Sequence, residues 1–176
     1  MASAFKGLPG FGRNYGGPVS LSASKVALHS MALWEHGRHL FRSAVGRVLP
    51  APMLKKALVL ETDGCPTLVV QGRSFPLRRN LYLVGFGKAV LGMAAAVEDI
   101  LGDHLIRGVI SIPLGIQACL QQAGMGEMLL KPGSRIQVLE GAKHNLPDRD
   151  ALRAASAIHE LADSLTVEDL LLVLIS

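Results

Sequence analysis

Leu81-Tyr82-Leu83-Val84-Gly85-Phe86-Gly87-Lys88-Ala89-Val90-Leu91 is the stretch that decides the fold. Apolar and aromatic residues from Leu81 to Val84 run into a glycine, which reads as a strand buried on both faces. Gly85 and Gly87 permit a tight turn that a Cβ would obstruct. From Lys88 the period changes. Val90, Met93, Val97 and Leu101 recur at helical spacing and mark one face of a helix. A strand, a glycine turn and a helix in that order aim unpaired N–H groups, and the positive end of the helix dipole, above the strand's carboxyl end. Such a place suits an anion, and Lys88 adds a full positive charge to it.

Downstream, Gly108-Val109-Ile110-Ser111-Ile112 is a second apolar strand, stopped by Pro113. With the intervening helix, which ends near Gly102, it makes a βαβ unit with parallel strands and a right-handed crossover. Residues 114–133, interrupted by glycines and Pro132, read as a loop with one helical turn. Arg135 to Glu140 alternates as a third strand. Asp148 is a good N-cap for a helix carrying Ala151, Ala154, Ile158, Leu161 and Leu165 on one face. Leu170-Leu171-Leu172-Val173-Leu174-Ile175 is another buried-strand run, followed by Ser176.

Upstream, Leu33, Gly37, Leu40, Phe41, Ala44, Val45 and Val48 form a helical apolar stripe ended by Pro50. Pro52 suits the first turn of a short second helix through Leu58. Thr67 to Gln71 and Phe75 to Leu77 flank Gly72-Arg73-Ser74 as a hairpin at the sheet edge. The expected architecture over residues 33–176 is therefore α/β, a Rossmann-like three-layer sandwich with a mostly parallel sheet. A fully apolar last strand belongs inside a sheet, and nothing follows it to cover its second face. The sheet thus reads as incomplete, the N-terminal part of a larger domain, with self-association expected through that strand.

The totals bound the remaining classes. A chain of 176 residues can bury one core, and 49% hydrophobic residues exclude disorder throughout. The net charge of +4 is mild, and two Tyr and one Trp offer no stacking platform, so nucleic acid is not an expected partner. No apolar run approaches the roughly 18–20 residues of a membrane span, so no membrane partner is expected either. Cys65 and Cys119 sit far apart in no CxxC pattern and read as free thiols. Residues 1–32 contain Lys6, Arg13 and Lys25 but no acid, and are rich in Gly, Ser and Pro. A mitochondrial transit peptide and an untargeted flexible N-terminus both fit. Met31 as an internal start would give a cytosolic form, so cytoplasm and mitochondrion both stand as destinations.

Gly85-Phe86-Gly87-Lys88 is not a Walker A loop, because Ala89 follows the lysine where Ser or Thr is needed. It is not a full dinucleotide fingerprint either, since Val90 holds the third glycine position, which disfavours the rival reading of a dinucleotide-binding oxidoreductase fragment. Taken alone, the turn is equally a tight bend with a solvated lysine. His144 lies just past a strand end, beside Pro147 and Asp148, at the sheet edge where ligands bind in open α/β folds. Asp148 has a sufficient role as a cap. None of the histidines reads as a metal ligand.

Lys88 and His144 together carry a resemblance. A helix pair, a strand ending G-x-G-K-A before an Ala-rich helix, a strand ending Ile-Pro, and a strand leading to a His-x-x-Pro-Asp turn follow in order. From about Leu33 to Ser176 this resembles the N-terminal part of the class II glycerate kinases, the group carrying the MOFRL domain. The resemblance implies transfer of the γ-phosphoryl group of ATP to D-glycerate, with Mg²⁺. It implies Lys88 as the catalytic residue, and Gly85, Gly87, Lys88, His144, Asn145, Asp148 and Ser176 as substrate- or phosphate-binding residues. Asn145 departs from the proline that many bacterial members carry. The family continues into a Ser-Gly-Gly-Gly-Ser loop of which Ser176 would be the first residue. The expectation is a truncated chain without kinase activity of its own, its Mg²⁺ ligands lying in the part it lacks, or else a non-catalytic binding module.

Overall fold

The computed structural model describes residues 23–176, with side-chain surroundings from Ser30 onward. The expected targeting segment falls, up to residue 22, outside the described residues. The chain divides into two units, Met1–Ser43 and Ala44–Ser176. Helix α1 (Ala23–Val48) begins upstream of Leu33. Its apolar stripe is exposed at Leu33, Leu40, Phe41 and Val48, and Arg38 lies 4.7 Å over the Trp34 ring.

In the larger unit the end of α1 is followed by α2 (Pro50–Ala57), which has a proline in its first turn. Leu58, expected as the last helical residue, instead starts β1 (Leu58–Glu61). It pairs antiparallel with β2 (Thr67–Val70), which pairs in turn with β3 (Arg73–Pro76). The hairpin turns at Gln71 and Gly72, both at positive φ (49° and 78°), as a two-residue connection matched to strand twist requires. These strands form a sheet of their own, not an edge of the main one. The difference lies in β1: short and exposed at Val59, it carries no period of its own and is specified by its partner β2.

The main sheet contains β4 (Leu81–Phe86), β5 (Leu105–Pro113), β6 (Ile136–Gly141) and β7 (Leu170–Ile175), all parallel, in the order β6-β5-β4-β7. Helix α3 (Val90–Leu101) joins β4 to β5, with Gly102 as its C-cap, right-handed and running on into a 3₁₀ turn. Between β5 and β6, where one helical turn was expected, α4 (Ile116–Gln122) is a full short helix followed by a 3₁₀ turn at Gly126–Met128. Helix α5 (Arg149–Asp163) joins β6 to β7.

Three layers result. On one face Leu81 and Leu83 pack with Val90, Leu91, Val97 and Leu101 of α3, with Leu174 of β7 and with Leu58 and Leu68 of the small sheet. On the other, Val84 and Val109 pack with Leu161 of α5. The chain moves from β4 outward to β6 along one face, then crosses back along the opposite face to place β7 on the far side of β4. Strand order therefore reverses at β4, the switch point where open α/β sheets part their loops.

Gly85 makes the turn after that strand compact. A Cβ there would lie 2.6 Å from Val90 Cγ2 and 3.1 Å from both Leu174 Cβ and the Leu174 carbonyl oxygen. Replacing Gly85 by alanine therefore overpacks the junction of β4, α3 and β7. The Gly85→Ala protein should lose about 1–3 kcal/mol of stability in urea unfolding, whereas Gly46→Ala, with nothing within 4 Å, should lose none through packing.

Candidate functional site

The carboxyl edge of the parallel sheet carries an open cleft of about 450 Å³ at the switch point. Gly87, Lys88 and Ala89 line it from the β4–α3 turn, Ser111, Ile112 and Pro113 from the end of β5, Ala142 and Asn145 from the segment after β6, and Ser176 from the end of β7. Gly87 sits between its neighbours: its N–H donates to the Ser111 carbonyl at 3.2 Å, and a Cβ on it would overlap the Ser176 carbonyl. Its φ of 128° lies in the region that favours glycine.

Helices α3, α4 and α5 all start at this edge, and their first N–H groups need acceptors. Two starts are filled by carboxylates of the chain itself. Glu140 accepts from the N–H groups of Gly115 (3.0 Å) and Gln117 (3.2 Å) at α4. Asp148 caps α5 by accepting from Ala151 N–H at 2.7 Å. At α3 the acceptor is a hydroxyl: that of Ser176 takes the Ala89 N–H at 2.9 Å. Lys88 is exposed beside it and has no ion-pair partner among the described residues. Of these three helix starts, that of α3 is the one whose N–H acceptor is not an Asp or Glu side chain, and Lys88 stands next to it.

Asp148 does more than cap. Its carboxylate also accepts from Ala142 N–H (3.0 Å) and Lys143 N–H (2.9 Å). It thereby clamps the turn in which Ala142, His144 and Asn145 all adopt positive φ (53°, 57° and 60°). The hydrogen bonds from Ala151, Lys143 and Ala142 hold its carboxyl below the usual carboxylate range.

The cleft thus gathers Gly87, Lys88, Asn145 and Ser176 from the expected site residues. Gly85 is buried at the end of β4 and acts through packing, Asp148 works behind the turn, and His144 is exposed outside the cleft lining. Ser111 was not anticipated, and a polar residue near the end of the apolar run Val109-Ile110-Ser111-Ile112 was the signal for it. Among the described residues no group of three His, Cys, Asp or Glu could hold a metal. A second cavity, of about 350 Å³, opens at the opposite edge, but its groups satisfy one another: Lys131 pairs with Asp99 at 2.6 Å and Arg135 donates to the Leu105 carbonyl at 2.6 Å.

Fold and site define the class: an open parallel α/β domain with a glycine turn and an exposed lysine at its switch point. The family described as "Domain of unknown function (DUF4147)" matches residues 36–176, and the chain belongs to that family. The chain is 60% identical to glycerate kinase of Homo sapiens over 177 aligned positions, covering 100% of this chain and 34% of that protein. It is 64% identical to glycerate kinase of Bos taurus over 92% of this chain and 30% of that one. Glycerate 2-kinase of Pyrococcus horikoshii is 27% identical over 84% of this chain. A crystal structure of the PH0495 protein from the same organism superposes with a TM-score of 0.61 at 25% identity, over 80% of this chain and 28% of that one. The chain spans about a third of the length of the curated relatives it matches.

The clamp at Asp148 predicts a pH response. A depressed folded value means the stabilisation is complete above the ordinary aspartate value of about 3.8 and is lost as pH falls through the lower folded value. Asp148→Ala should speed amide exchange at residues 142–146 and lower the melting temperature at pH 7. It should flatten the part of the stability profile that wild type loses in acid. Asp150→Ala, whose carboxylate holds no such turn, serves as the control.

Proposed function

We propose that this chain forms the anion-binding half of a glycerate kinase active site, in which ATP phosphorylates glycerate. The observation that carries the reading is the start of α3, without an Asp or Glu side-chain acceptor, beside the exposed Lys88 in the cleft at the switch point. The names of the relatives and the G-x-G-K-A and His-x-x-Pro-Asp motifs support it.

Lys88 and the N–H groups at Ala89 would hold a carboxylate or a phosphoryl oxygen. Phosphoryl transfer asks mainly for positioning and for charge stabilisation, and a cation at a helix start supplies both. Ser111 and Asn145 line the same cleft and would hydrogen-bond a polyhydroxy acid. Glu140 and Asp148 are committed to backbone N–H groups, so these two carboxylates do not fit a Mg²⁺ site. Mg²⁺ would arrive on ATP and find its protein ligands in sequence that the relatives carry outside the match.

Titration calorimetry with glycerate, ADP and inorganic phosphate tests the site. At least one should bind, and Lys88→Ala should weaken it at least about tenfold, the worth of one charge-assisted hydrogen bond. Lack of binding by all three, or an unchanged affinity in the variant, would remove the reading. A coupled assay with ATP and glycerate should show no turnover by this chain alone. A rate comparable to that of a full-length relative would show that the matched third is sufficient.

A further inference from the structure

We propose that Asp63-Gly64, in the turn between β1 and β2, is a site of spontaneous isoaspartate formation.

The chemistry is intramolecular. The Gly64 backbone nitrogen attacks Cγ of Asp63, and the new N–C bond closes a five-membered succinimide. One water leaves, made of the carboxyl hydroxyl and the amide hydrogen. Water then opens the ring at either carbonyl. One opening restores aspartate. The other leaves the main chain running through Cβ and Cγ, with the former α-carboxyl as the side group. No oxidant, metal or second protein takes part. The step asks that the nitrogen be unhindered and that neither reacting group be held by a hydrogen bond.

Both conditions are met at this turn. Asp63 is the one Asp or Asn of the chain that a glycine follows, and glycine has no Cβ to crowd the attacking nitrogen. Gly64 sits at φ 98°, and nothing lies within 4 Å of the place a Cβ would take. Among the described residues, neither the Gly64 N–H nor the Asp63 carboxylate has a hydrogen-bond or ion-pair partner. Asp163 gives the contrast, since another small residue, Ser164, follows it. The Ser164 N–H donates to the Glu160 and Leu161 carbonyls at 3.2 Å each, and Asp163 Oδ2 lies 2.9 Å from His159 Nδ1. That ring cannot close until the end of α5 opens. On either side of Asp63-Gly64 the strands are pinned: Glu61 pairs with Thr67, the Thr67 hydroxyl donates to the Cys65 carbonyl at 2.9 Å, and Leu77 N–H donates to the Pro66 carbonyl at 2.7 Å. The extra main-chain carbon therefore falls within residues 62–66, outside the β1–β2 register, where a connection absorbs insertion. The isomerised chain stays folded and carries an isoaspartyl carboxylate, the group that an isoaspartyl methyltransferase esterifies with the methyl of S-adenosylmethionine.

The test is prolonged incubation of the whole chain at body temperature and neutral pH, followed by digestion. The tryptic peptide of residues 57–73 should split into two chromatographic peaks of equal mass. The new peak should resist an endoprotease specific for aspartate and should take up label from S-adenosylmethionine with isoaspartyl methyltransferase. Conversion at Asp63 should run at least about tenfold faster than at Asp163, where the helix end holds the nitrogen. Gly64→Ala should slow it at least about tenfold by setting a Cβ beside the attacking nitrogen. If the positive φ disturbs the turn of that variant, a second one stands. Asp63→Glu keeps Gly64 and the charge but would have to close a six-membered ring, so conversion should be lost with an unchanged far-ultraviolet spectrum. No isoaspartate in the folded chain while the same free peptide converts, equal conversion at Asp63 and Asp163, or an unchanged rate in both variants would each overturn the assignment. None of these outcomes depends on what binds at Lys88.

Discussion

A parallel sheet sends every following helix off from the same edge, and the first N–H groups of each helix must find acceptors. This requirement organises the molecule. At α4 and α5 the chain meets it with its own carboxylates, Glu140 and Asp148, and in doing so ties the end of β6 to one helix and the segment after it to the next. At α3 it meets it with a hydroxyl, that of Ser176. The asymmetry sets one helix start apart from the other two, and it falls at the strand where the sheet order reverses.

Close backbone approach is the second half of the same device. Gly85 lets β4, α3 and β7 meet without a side chain between them, and Gly87 lets the turn pass between Ser111 and Ser176. Gly141 does the same at the other wall, where a Cβ would lie 2.5 Å from the Ala151 nitrogen. The cleft is therefore framed by backbone held in place by a dry aliphatic core. Its groups should need little reorganisation to meet an anion, which is the condition for electrostatic stabilisation to be effective.

What could be read from the sequence was what is local. The β4–α3 turn, the Asp148 cap and the apolar β7 each carry their signal within a few residues, and each lies where it was expected. Interactions between distant residues were hidden. Helix α4 is weak in its own pattern because its N-terminal acceptor, Glu140, lies on another strand. β1 is specified by its pairing with β2. His144 marked the right turn, yet its left-handed backbone leaves it outside the cleft, while Asn145 lines it. That β7 returns to the side of β4, and so creates the switch point, is a property of the sheet order that no single segment states.

β7 therefore has two sides with different consequences. Its even-numbered residues bond inward to β4 and carry Ser176 to the start of α3, so the strand forms one wall of the cleft. Its odd-numbered residues present an apolar, uncharged edge. The hydroxyl that takes the Ala89 N–H is thus held in place by the pairing of β7 with β4, through six residues of backbone.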